Sequence, residues 1–271
     1  MKNESSDLAA VIKTYENYQE DLRLTADNCR RLEFITGIKY MDKYLEPGCK
    51  ILDVAAGAGA YAIYYAARGF DVTALDITPK YIDMIHQKAA KEKLNIPAFV
   101  NDARDLSMFK DETFDSLFCM GPIYHLTEEE DRKKVMKECR RVLKPGGLFF
   151  LAYINKFFVF SHFALGSKQY LQDKWFQRII KDGIIRSTDE DCFWTDAWFT
   201  TPEEIESLCL EFGFNKVNHV AQDGIAPLMA DDVNEMRQED FQRWTDYHLR
   251  TCEEPSILGI SNHGLYIGKK G

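Results

Sequence analysis

The chain has 271 residues, 45% of them hydrophobic, and its 43 acidic against 34 basic side chains leave a net charge of −9. That length holds one large domain, or a core domain with an elaborated cap. The acid excess argues against a nucleic-acid partner, which needs a basic face to neutralise phosphates. Residues 1–24 alternate polar and charged groups without the apolar centre of a signal peptide. No apolar run reaches the roughly eighteen residues of a membrane span, so no membrane partner is expected, and the odd, scattered cysteines fit a reducing cytoplasm.

In chain order, the spacing of Leu8, Val11, Ile12, Tyr15 and Tyr18, then of Leu32, Ile35, Ile38, Met41 and Leu45, predicts two amphipathic helices between Asp7 and Tyr44, stopped by Pro47-Gly48. Alternating units follow: strand Lys50–Ala55, helix Tyr61–Arg68, strand Asp71–Leu75, helix Pro79–Leu94 capped by Thr78, and strand Ala98–Val100. Strand Phe114–Met120 and helix Glu128–Val142 come next, then the break Lys144-Pro145-Gly146-Gly147 and strand Leu148–Tyr153. The stretch 155–200 is rich in aromatics and breaks this rhythm. Thr201-Pro202-Glu203-Glu204 opens a helix that Gly213 ends, and Lys216–Ala221 and Gly264–Lys269 read as two final strands around a helical excursion at Val233–Arg250.

Strands alternating with helices, and near-continuous apolar strands, imply a doubly wound α/β domain whose mostly parallel sheet is covered on both faces. The expected organisation is N-terminal helices at 1–46 that close the site, a Rossmann-like domain of 47–154 and 201–271, and a helical, aromatic cap at 155–200 with a second excursion near 225–258. The seven cysteines (29, 49, 119, 139, 192, 209 and 252) form no C-x-x-C pair, and the six histidines show no paired ligand spacing, so neither a disulfide framework nor a metal site is expected.

The segment Ile51-Leu52-Asp53-Val54-Ala55-Ala56-Gly57-Ala58-Gly59 is a strand running into a tight turn and a helix. Small residues let the backbone approach a ligand, and the helix start offers free N–H groups. Asp76, at the end of the second strand, stands where a carboxylate accepts from ribose hydroxyls. Gly57-Ala58-Gly59-Ala60-Tyr61-Ala62 also fits the dinucleotide fingerprint, so the turn alone leaves a nicotinamide dehydrogenase open. Asp53 just before the turn, Asp102-Ala103 at the end of the third strand, and Leu143–Gly147 before the fifth favour another cofactor.

With these residues, Leu52–Gly59, Asp76-Ile77, Asp102-Ala103, Phe114-Asp115 and Leu143–Gly147, the chain resembles the class I S-adenosylmethionine-dependent methyltransferases. The resemblance implies a seven-stranded sheet and S-adenosylmethionine as cofactor. It implies that Asp53 orients the turn and the cofactor's amino group, that Ala55, Gly57 and Gly59 bring backbone close to it, and that Asp76 holds the ribose. Ile77 would pack on the adenine, Asp102 accept from its amino group, Ala103 donate backbone N–H, and Met120 lie by the methionine moiety. The departure is Ala55, where the family pattern D-x-G-x-G-x-G has glycine.

Met120-Gly121-Pro122-Ile123-Tyr124-His125-Leu126 is similar to the G-P-L-Y-H-L segment of one branch of small-molecule enzymes in that family. His125 is the candidate general base, with its place at the start of the next helix as the alternative reason for its presence. Tyr124 would cover cofactor or substrate. Gly121–Tyr124 is also similar to the N-P-P-Y motif of amino-directed nucleic-acid enzymes, but Met120-Gly121 stands where that motif needs an amide or carboxylate. Trp194, Trp198 and Phe199 are candidates to line the cap, and Tyr15, Tyr18 or Arg31 to reach the cofactor's carboxylate. The expected activity is methyl transfer to a small molecule at O, N or C. A nicotinamide-dependent oxidoreductase and a non-catalytic cofactor-binding module are the alternatives.

Overall fold

A computed structural model describes residues 8–190 and 192–271. The chain opens with α1 (Ala9–Glu16), a short 3-10 turn at Glu20–Leu22 and α2 (Asn28–Tyr44). The expected start of the first helix at Asp7 lies outside the described residues. Then follow β1 (Lys50–Asp53), α3 (Ala60–Ala66), β2 (Asp71–Asp76), α4 (Pro79–Glu92), β3 (Ala98–Val100), β4 (Phe114–Cys119), α5 (Glu129–Val142) and β5 (Leu143–Ile154). The remainder comprises α6 (Lys156–Gly166), α7 (Asp173–Lys181), β6 (Ile184–Ile185), β7 (Ala197–Trp198), α8 (Pro202–Glu211), β8 (Phe214–Ala221), α9 (Ala230–Asn234), α10 (Gln238–Thr251), α11 (Pro255–Leu258) and β9 (His263–Lys270).

Seven strands form one sheet in the order β3-β2-β1-β4-β5-β9-β8, and only β9 runs antiparallel to its neighbours. Successive side chains of a strand point to opposite faces, so this sheet has two cores. Ile51, Phe150 and Ala152 pack with α3, α4 and Tyr40 and Met41 of α2. Leu52, Phe149 and Leu151 pack with Val135, Met136 and Cys139 of α5 and Ile205 and Cys209 of α8. No helix among the described residues is long and apolar enough to cross a membrane.

Two local expectations are corrected. Thr78 precedes α4 in extended conformation but makes no side-chain cap; its N–H instead donates to Asp76 Oδ1 at 2.8 Å. The segment Lys144–Gly147 does not separate α5 from the strand. Leu143 already pairs with Phe114, and the ladder resumes at Ser116 with Leu148, so the segment is a bulge within β5, secured by Lys144 Nζ on Asp115. By contrast α8 starts as its sequence implies, with a full capping box between Thr201 and Glu204.

The aromatic stretch leaves and returns at one place. Thr200 N donates to Ile154 O, and Lys156 N to Thr200 O, both at 3.0 Å. Between these points α6, α7 and the β6–β7 ribbon gather around Trp175, Ile179 and Phe199 as a small core of their own. On the other side, α9 and α10 pack on α2 through Val233 and Phe241 against Cys29 and Leu32.

Candidate functional site

The parallel strands all end on one edge, and β9, running backwards, begins there; Ile154 pairs with His263, and Ala221 with Gly264. Ligands of open α/β sheets bind at this edge. A cavity of about 670 Å³ occupies it, walled by the β1–α3 turn, the strand ends, the N-terminal segment and the cap.

The turn after β1 is held by its neighbour. Gly57 N donates to Asp76 Oδ2 at 2.9 Å, so one carboxylate joins the ends of β1 and β2 and is buried in doing so. Burial pushes the Asp76 pKa up, against the two backbone donors that favour its charge. Gly57 (φ 52°) and Gly59 (φ 84°) take the left-handed conformation that favours glycine, and a Cβ on Gly59 would stand 2.7 Å from Ile85 Cγ1. Ala55 is not among the residues with positive φ, so alanine fits where the family pattern has glycine.

Asp53 is buried, and among the described residues neither carboxylate oxygen accepts a hydrogen bond of good geometry. Burial first, and the Asp76 charge second, push its pKa to about 8, against a pull from the Ala55 N–H. A buried carboxyl without a partner is costly unless something polar arrives to meet it.

Ala55, Gly57, Ile77, Ala103, Met120 and Tyr124 line the cavity, as do Asp53, Asp76, Asp102 and His125. Gly59 does not; it shapes the turn from behind. Asp102 is not the open acceptor expected for an adenine amino group, because Arg104 Nε and Nη2 grip its carboxylate, the latter at 2.6 Å, while Arg104 Nη1 reaches Asp131. His125 is also engaged. Its Nδ1 lies 3.0 Å from the Asp196 carbonyl and must therefore carry the proton, leaving Nε2 to accept from Tyr15 Oη at 2.8 Å. Burial lowers the His125 pKa to about 4. The lone pair a base would use is thus occupied, and His125 pins α1 across the cavity mouth.

Of the N-terminal candidates, Tyr15 and Tyr18 line the cavity and Arg31 does not; its guanidinium lies 5.2 Å over Phe241. Arg23 enters instead. Its Nε meets Glu20 Oε1 at 2.9 Å, and its Nη1 meets both oxygens of Glu33 at 2.8 and 3.0 Å. Trp194 and Phe199 line the cavity, whereas Trp198 turns away to stack on Arg132 at 4.1 Å.

Spacing gave no hint of a second cluster. Glu33, Asp223 and His263 bring their ligand-type atoms within 4.8 Å of one another, the one group of metal-ligand type among the described residues. Its lone pairs are already used. Asp223 Oδ1 accepts from Ser261 Oγ and His263 N, Oδ2 accepts from His263 Nδ1 at 2.7 Å and from Asn262, and Glu33 is held by Arg23. The chemistry of this set is proton holding.

Comparison with known proteins bears on this geometry. Residues 51–147 match the model of a methyltransferase domain family. A ubiquinone biosynthesis O-methyltransferase of Xanthomonas axonopodis pv. citri is 29% identical over 120 residues, 44% of this chain and 49% of that protein. The chain thus spans about half the length of the curated relatives it matches. Among solved structures, a SAM-dependent methyltransferase from Methanosarcina mazei superposes with a TM-score of 0.59 at 22% identity, over 85% of this chain and 96% of the other. The 1,6-didemethyltoxoflavin-N1-methyltransferase of Burkholderia thailandensis, solved with its substrate and S-adenosylhomocysteine, gives 0.56 at 14% identity, over 96% and 85%. These likenesses establish a shared fold.

Proposed function

We propose that this chain, whose residues 51–147 match a methyltransferase domain, binds S-adenosylmethionine and transfers its methyl group to a small, planar acceptor held under the aromatic cap. The observation that carries the reading is the convergence of an unpartnered buried carboxyl, Asp53, with a glycine turn and an aromatic chamber in one cavity. A volume of about 670 Å³ lies within the usual range for small-molecule sites.

The residues present fit that cofactor. Asp53 would meet its ammonium group, Asp76 would take ribose hydroxyls on the lone pairs its backbone donors leave, and Ile77 and Ala103 would flank the base. When bound, the cofactor supplies an electrophilic methyl on a sulfonium. The chain's task is then alignment and exclusion of water. Tyr15 and His125 hold the N-terminal segment over the cavity. Tyr124, Phe163, Phe193, Trp194 and Phe199 line an apolar chamber suited to a flat ring. The named relative is an O-methyltransferase of ubiquinone biosynthesis, which supports an oxygen acceptor on an aromatic ring here.

The test is thermal stability with S-adenosylmethionine, S-adenosylhomocysteine and NAD in turn, followed by S-adenosylhomocysteine release with catechols and phenols. Ligand at one hundred times its dissociation constant stabilises the folded state by about 2.7 kcal/mol. A shift with NAD and none with the two sulfur nucleosides would overturn the proposal.

A further inference from the structure

The geometry points to His263, held by Asp223, as the general base that takes the acceptor's proton. This inference rests on the methyl-transfer reading and adds to it the residue on which the proton leaves.

A run of ion pairs leads from Glu20, packed beside the β1–α3 turn, to this pair. A Cβ at Gly57 would stand 3.1 Å from Glu20 Cγ, Glu20 pairs with Arg23, and Arg23 pairs with Glu33. Glu33 Oε2 lies 3.6 Å from His263 Nδ1, which is in turn 2.7 Å from Asp223 Oδ2. All five side chains line the cavity. Two groups face His263 Nδ1, the Asp223 carboxylate at 2.7 Å and Asn262 Nδ2 at 2.9 Å; the shorter contact, to a carboxylate held charged by its donors, favours hydrogen on Nδ1. Nε2 then holds the lone pair, and the hydrogen bonds of His263 among the described residues end on its backbone N and on Nδ1.

The other two histidines of the cavity lack this arrangement. His125 spends its lone pair on Tyr15, and His162 stacks on Phe158 with no carboxylate hydrogen-bonded to it. Burial works against charge on His263, but Glu33 and Asp223 outweigh it, and Arg23 opposes them weakly. His162 and His248 also feel the Asp223 charge.

In the step, the acceptor O–H gives its proton to His263 Nε2 while the oxygen lone pair forms the new C–O bond. The methyl–sulfur bond breaks, and its electron pair stays on sulfur as the neutral thioether. The imidazolium formed is stabilised by Asp223 and Glu33, and its proton later passes to water.

Two measurements test this. Long-range ¹H–¹⁵N spectra of the histidine rings, with His263 assigned by His263→Gln, should show a bare Nε2 and protonated Nδ1 above its pKa. Asp223→Asn should move that pKa down. Nε2 protonation in the neutral ring, or an unmoved pKa in Asp223→Asn, overturns the inference whether or not an acceptor has been found. With a catechol or phenol that turns over, His263→Gln should lower kcat at least a hundredfold, while the Kd for S-adenosylhomocysteine stays unchanged. Asp223→Asn should shift the acidic limb of the kcat–pH profile. Wild-type kcat in His263→Gln refutes the base and leaves methyl transfer standing; loss of cofactor binding by the wild-type chain refutes the underlying reading instead.

Discussion

In the proposed site, Asp53 makes cofactor binding a proton-linked event. With its pKa at about 8 in the empty cavity, roughly 90% of the chains carry a proton there at pH 7. A cationic ammonium beside the carboxyl favours the charged form and pulls the pKa down. Binding at pH 7 should therefore release about 0.9 proton per cofactor, at a cost of about 1.4 kcal/mol for the one unit between pH and pKa. The Kd should fall about tenfold per unit from pH 6 to 7 and level off above 8. Calorimetric titration with S-adenosylhomocysteine in buffers of different ionisation enthalpy counts the protons directly. Asp53→Asn is the control, since the amide has the same shape and nothing to release. No proton release by the wild-type chain, or the same release by Asp53→Asn, would refute the reasoning.

The same group fixes the sign of a stability trend. Folded Asp53 keeps its proton to about pH 8 and the unfolded chain releases it near 4, so its contribution is full below that lower value and is lost as pH rises towards 8. The ligand-free protein should unfold at lower urea at pH 8 than at pH 6, with a flatter profile in Asp53→Asn. Asp76→Ala should weaken cofactor binding by roughly 1.5–3 kcal/mol, the worth of a hydrogen bond to a charged group; an unchanged Kd would remove Asp76 from the site. Gly59→Ala forces a side chain into the left-handed region and against Ile85. At about 1–2 kcal/mol or more, it should lower Tm by roughly 3–8 °C. His125→Ala should leave cofactor affinity within about fivefold, a neutral hydrogen bond being worth about 1 kcal/mol, yet raise deuterium uptake in Ala9–Glu16, which Tyr15 no longer anchors.

What the sequence discloses about the fold is what neighbouring residues decide. Apolar runs such as Ile51-Leu52 and Phe149–Ala152 identify strands because each alternate side chain has a core to enter. Even three-residue β3 was legible, since Pro97 and the Asp102 turn bracket it. The bulge at Lys144–Gly147 was not. Its glycines read as a terminator, and only the pairing of Leu143 with Phe114 across the sheet shows that the strand has already begun.

The candidate site divides along the same line. Its proposed cofactor half is a local motif, in which Asp53, Gly57 and Asp76 lie within one β–α–β unit, and reading outward from that turn named residues that line the cavity there. Ala55 departs from the family pattern without strain, because the positive φ angles of the turn fall on Gly57 and Gly59. The proposed acceptor half is assembled from residues far apart in the chain: Tyr15 meets His125 across 110 positions, and Asp223 meets His263 across 40. His125 drew attention because it sits in a recognisable segment, yet its partners disqualify its lone pair. His263 sits in no motif at all. Its placement follows from β9 running backwards, which brings the start of a strand to the edge where every other strand ends. An antiparallel last strand is thus what delivers a histidine to the cofactor's cavity, and no pattern of neighbouring residues records it.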